Sequence, residues 1–196
     1  MIRRPYHHGD LPAELLARVE KTVREKGMGA LSLRALARDI GVSPAAPSRH
    51  FRNKQALLDA LALRGFERLA AATGHARASA GGTFAERLGA VARAYLAFAL
   101  ANGALFDLMC QAGTAVRTSA ELHEAARRWS GQLVALVADG QGRGEIRTGT
   151  PERVALPVFA ALHGYVRLAV DGVLPTELAE HSLDDVIESV LRGCRP

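Results

Sequence analysis

Asp107, Cys110, His123 and His163 are the side chains that could, by type, carry acid–base, nucleophilic or metal chemistry. Their placement does not support it. No nucleophile stands in a recognised elbow, and no set has metal-ligand spacing. His7 and His8 are adjacent, so they do not share a helical face as ligands at i and i+4 would. Cys110 and Cys194 are far apart and form no CxxC pair, as in a reduced cytoplasmic protein without a zinc site. GQGRG at Gly140–Gly144 imitates a phosphate loop, but it follows a helix rather than a strand and reads as a helix-ending loop. The expectation is therefore no enzyme: no catalytic residue, no metal and no cofactor.

The chemistry that charge does suggest is polyanion binding. Residues 1–54 hold 11 Lys/Arg against 5 Asp/Glu, a net +6, while the other 142 hold 14 against 15, a net −1. The whole excess of +5 thus lies in the first quarter of the chain, as if a nucleic-acid-binding module were joined to a near-neutral body. Hydrophobic residues make up 48% of the chain and aromatics 5%, a balance that favours packed helices over a β-sandwich. No 18-residue apolar stretch is free of charge, so no membrane partner is expected. MIRRPYHHGDL has a basic start without an apolar segment behind it, so it is not a secretory signal.

The elements that must position these groups are helical throughout. Leu15, Leu16, Val19 and Val23 stripe a first helix begun near Pro12 and closed at Gly27. Ser32 caps a short helix burying Leu33, Leu36, Ala37 and Ile40, and Gly41 stops it. Ser43 precedes a second short helix, and Asn53 caps a longer one. HARASAGGT, around Gly81–Gly82, reads as a loose loop and domain boundary. Thr83 with Glu86, and Thr118 with Glu121, form capping boxes for two further helices. Thr150–Pro151 opens a helix apolar on more than one face, and Ser182 caps a last one. A helix apolar on two sides needs cover on two sides, which a second copy of the chain supplies most simply. The predicted fold is all-α: a three-helix helix-turn-helix domain over residues 1–54 with a basic arm, a connecting helix over 55–78, and a helical ligand-binding and dimerisation domain over 79–196.

The middle of SLRALARDIGVSPAAPSRHFRNKQALL, Ser32–Leu58, carries Pro44 and Pro47 where a reading helix would begin. Either Ser43 caps with Pro44 at the first helical position, or a tight turn comes first and the helix starts near Ala46. A distorted first turn spanning both prolines is expected.

Ser32, Leu36, Ala37, Ile40, Gly41, Val42, Ser43, Arg49, His50, Phe51, Lys54, Leu57 and Leu58 together resemble the TetR family of transcriptional regulators. YHHGDL, AYLAFALANGALFDLM and ALHG further resemble its branch with a WHG C-terminal domain, except that Phe159 stands where tryptophan is usual. The resemblance implies a homodimer that binds a palindromic double-stranded DNA operator and is released by a small-molecule effector, usually as a repressor. Arg49, His50 and Lys54 match phosphate-contacting positions, and Ser43 can cap or contact phosphate. The usual tyrosine before Arg49 is Ser48, with a shorter reach. Ala45, Ala46 and Pro47 then lead into the major groove, offering methyls and backbone but no bidentate hydrogen bonds. Arg34 is the candidate for guanine, and Arg3 and Arg4 for an adjacent minor groove. Tyr95, Phe98, Phe106, Met109, Trp129, Phe159, His163 and Arg167 are candidates for a pocket holding an uncharged or weakly anionic hydrophobic effector, with Arg167 as the anion sensor. The alternative is a dimeric ligand-binding or interaction module whose DNA binding has weakened.

Overall fold

The computed structural model describes residues 11–114 and 119–196, which form helices without a strand among them. The helices are α1 (Leu11–Lys26), α2 (Leu33–Ile40), α3 (Ala46–His50), α4 (Lys54–Ser79), α5 (Phe84–Ala101), α6 (Gly103–Thr114), α7 (Ala120–Gly142), α8 (Pro151–Val170) and α9 (Thr176–Cys194), with a 3₁₀ turn at Met28–Ala30. They divide into two compact units. One is the chain up to Gly65 with Ala104–Leu122; the other is Phe66–Gly103 with His123–Pro196.

In the first unit, α1 packs on α2 and α3. Leu15, Val19, Leu36, Ala37 and Ile40 form the core beneath them. Ser32 caps α2 through Oγ, which accepts from Ala35 N–H at 3.5 Å. Gly41 ends it in the left-handed region at φ 75°, where the N–H of Gly41 reaches Arg38 O and that of Val42 reaches Ala37 O. This is a Schellman closure, and it requires a residue without a Cβ penalty. Asn53 Oδ1 accepts from Ala56 N–H at 2.8 Å and so caps α4. Further along α4, Gly65 lets α6 approach: a Cβ there would lie 2.6 Å from Met109 Sδ and 3.1 Å from Leu105 Cδ1.

In the second unit, α5, α8 and α9 pack on one another. The capping box Thr83–Glu86 is present in full at the start of α5. Its hydrogen bonds from the Thr83 N–H and hydroxyl hold the Glu86 carboxyl below its ordinary range. Gly140–Gly144 ends α7, with Gly144 at φ 69° and Gly140 against Phe84 and Ile146. On α8, Val154, Val158, Leu162, Tyr165 and Val166 face inward, while Leu156 and Leu168 stay 66% and 45% exposed. α8 is long and apolar enough to cross a bilayer, with mean hydropathy 1.3, yet its inward face belongs to this core.

Three details of the local reading change. HARAS is not loop: α4 continues through Ser79, because Ala, His and Arg extend a helix and only Gly81–Gly82 break it. Ser182 lies inside α9 rather than at its start, where Oγ donates to Leu178 O at 2.7 Å and meets the Tyr165 hydroxyl at 2.7 Å. Ser119 Oγ accepts from Leu122 N–H at 3.2 Å and caps α7, while Thr118 lies outside the described residues.

Candidate functional site

The prolines of the reading segment resolve into a turn followed by a short helix. Ala46 N–H donates to Ser43 O at 2.9 Å, closing a β-turn with Pro44 at its second position and Ala45 at φ −84°, ψ −15°. These are type I values, and proline is favoured at that position. Ser43 therefore accepts through its carbonyl; no side chain caps α3. Pro47 falls in the first turn of α3, where its missing N–H costs little. It is buried, contrary to the expectation that it leads into the groove: its ring is the residue of α3 that fills the core. The exposed face is Ser43, Pro44, Ala45, Ser48, Arg49 and His50, with Ala46 half-buried.

Arg34 is exposed near the start of α2, and Lys54 is the half-buried first residue of α4. Among the described residues, Arg34, Arg49, His50 and Lys54 make no ion pair and no side-chain hydrogen bond. Four partnerless basic groups on one small unit leave their donors for an external anion. Arg3 and Arg4 lie outside the described residues.

The second unit holds a cavity of about 40 Å³ among α4, α5, α7 and α8. Its apolar walls include Val91, Tyr95, Trp129, Leu133, Phe159 and Leu162. Tyr95 and Trp129 rings stand 5.2 Å apart, and Trp129 and Phe159 meet edge-on at 5.7 Å. Behind this wall, the Tyr95 hydroxyl and His163 Nδ1 share a hydrogen bond of 2.7 Å, and the imidazole stacks on Phe159 at 5.2 Å. Burial, aided by the nearby Arg167 charge, pushes the His163 pKa below its ordinary value.

One wall is polar. Thr73, 2% exposed, points its hydroxyl at Leu69 O (2.9 Å) and Gln132 Oε1 (3.1 Å), while Gln132 Nε2 donates to Ala70 O at 3.3 Å. Arg77, one turn beyond Thr73, also lines the cavity. Outside, an open groove between α7 and α8 shares Ser130, Leu133 and Phe159 with it.

Residues 15–61 match the model of bacterial regulatory proteins of the tetR family, and residues 88–193 match the tetracyclin repressor-like C-terminal domain. The chain belongs to the TetR family. A protein of unknown function from Rhodococcus sp. RHA1 is 41% identical over 99% of this chain and 100% of that one, with a TM-score of 0.91. PfmR, a TetR-family transcriptional regulator from Thermus thermophilus, is 25% identical over 91% and 97%, with a TM-score of 0.69. A bacterial regulatory protein of the tetR family from Rhodococcus RHA1 is 20% identical over 95% and 98%, with a TM-score of 0.72. No curated protein matches the chain. It is thus a transcriptional regulator of the TetR type with a DNA-binding helix-turn-helix.

Within this TetR-family chain, Tyr95, Trp129 and Phe159 line the cavity, and His163 supports it through Tyr95. The other candidates lie elsewhere. Phe98 sits under the Arg68 guanidinium at 5.8 Å, and Arg167 pairs with Asp171. Phe106 and Met109 are buried in the first unit. Thr73, Arg77 and Gln132 were not anticipated. Their signal was available: Leu69, Thr73 and Arg77 recur every fourth residue, so a hydroxyl and a cation continue the apolar stripe of α4.

Proposed function

We propose that this chain is a homodimeric repressor that binds a palindromic operator and leaves it when a small hydrophobic effector occupies the cavity. The observation that carries the DNA half is the set Arg34, Arg49, His50 and Lys54, basic groups without internal partners around an exposed, small-residue reading face. On this reading Arg49, His50 and Lys54 hold phosphates, Ser43 and Ser48 approach the backbone, Ala45 and Ala46 touch thymine methyls, and Arg34 reads a base. Residues 1–54 then bind DNA, 55–78 connect, and 79–196 sense the effector and pair the protomers. The outward stripe Leu156, Ala160, Ala161, Gly164 and Leu168 of α8, on a single face and built of small and aliphatic residues, supports pairing through that helix. Such a regulator works in the cytoplasm.

Binding to the DNA upstream of its own gene, titrated against salt, tests the reading. A specific site with a steep fall of log K against log salt is expected. Equal, weak binding to every duplex would show instead an interaction module whose DNA head has weakened, as Ser48 and the alanine face would then indicate.

A further inference from the structure

The cavity is walled mostly by apolar side chains, and among the described residues Arg77, itself exposed to solvent, is the one formal charge lining it. Among the described residues Arg77 makes no ion pair or hydrogen bond, and no carboxylate among them lines the space. Thr73 stands one helical turn away on the same face of α4, and its hydroxyl oxygen has lone pairs beyond the single proton it donates. Gln132, held to α4 through Ala70 O and Thr73, retains a second amide hydrogen. A guanidinium open to water and an amide therefore offer donors at the edge of a largely apolar space, where no described carboxylate pairs with the guanidinium.

Resting on the ligand-responsive reading above, we infer that the cavity binds a weak organic acid: one carboxylate held by Arg77 with Gln132, and an apolar body against Tyr95, Trp129 and Phe159. The partly open space of about 40 Å³ holds no more than a few waters. The body gains room when Phe159 and Leu133, which separate the cavity from the α7–α8 groove, swing into that groove. Arg167 pairs with Asp171 and does not line this space.

Trp129, the single tryptophan of the chain, reports occupancy directly. Its emission is followed during titration with decanoate, decanol and decylamine, and with 4-phenylbutanoate against 4-phenylbutanol. The acids should bind at least about tenfold more tightly than the matched alcohols, the value of a charge-assisted contact. The amine should bind least. Arg77→Gln should abolish the acid preference while leaving alcohol binding unchanged. Phe159→Ala should tighten the bulkier ligands. Equal binding of acid and alcohol, preference for the amine, an unaltered ratio in Arg77→Gln, or no response of Trp129 to any probe overturns the inference. Operator binding, measured in parallel, separates the two proposals. An acid that binds without weakening operator binding defeats ligand-responsive repression and leaves this site standing. An alcohol that releases the operator as well as the acid does the reverse.

Discussion

Arg34 and Lys54 are both cations without internal partners, but their surroundings give them different expected work. Lys54 opens α4, where unpaired backbone N–H groups add to its charge, an arrangement suited to any phosphate. Lys54→Ala should weaken binding to all duplexes alike and reduce the salt slope by about 1. Arg34→Ala should instead cost about 1–3 kcal/mol at one base pair and relax preference there. Anisotropy titrations over operator variants distinguish these, and a uniform loss in Arg34→Ala would remove its base-reading role. His163 gives a pH prediction. The folded protein holds its imidazole neutral below the ordinary 6.5. As pH falls, the unfolded chain therefore takes up the proton first. Stability from this group is complete above about 6.5 and declines as pH drops from there toward the depressed folded value. Urea midpoints between pH 7.5 and 5.5 should fall less steeply in His163→Gln than in the parent. At this scale the exposed cations were legible, because charge without an acidic neighbour in sequence is visible in a string. The Arg68 face over Phe98 was not, since it depends on rotamers, whereas the Asp171 partner of Arg167 stands four residues on along one helix face and is visible in the string.

Helix ends were the most legible elements. Ser32, Asn53 and the Thr83–Glu86 box hold the N–H groups that their sequence positions promise, because capping is local chemistry. Asn53→Ala should cost about 1 kcal/mol, read as a lowered thermal midpoint. If its operator affinity fell while its midpoint held, the cap would be serving the DNA rather than the helix. Ser182 failed as a cap for an equally physical reason. A serine can also bond back to the carbonyl four residues earlier, and here Tyr165 fixes that choice from another helix. Pro47 misled because a proline reads as local punctuation, whereas its burial is decided by α1 and α2. The cavity's polar wall escaped because it joins α4 to α7 across 59 residues of sequence.

The two-sided apolar pattern of α8 was plain in the string, and its outward half remains uncovered in the single chain. If that half pairs two protomers, Gly164→Arg should yield monomers by sedimentation, with operator affinity lost and intrinsic helicity retained. The parent's thermal midpoint should rise with protein concentration, as it must for a folded state that binds itself. A dimeric Gly164→Arg would move the interface elsewhere. For the molecule in solution, the brevity of α3 matters most. Five residues, with prolines at 44 and 47 contributing no amide hydrogen, cannot sustain a helix alone. Its order is lent by the ring of Pro47 seated in the core. In hydrogen-exchange terms, the amides of Ser48 to Phe51 should be the least protected of the first unit's helices in free protein, and the most slowed when operator is added. The surface that reads DNA would then be a gauge of the core beneath it: a Val19→Ala substitution, remote from any phosphate, should loosen operator binding well before the unit unfolds.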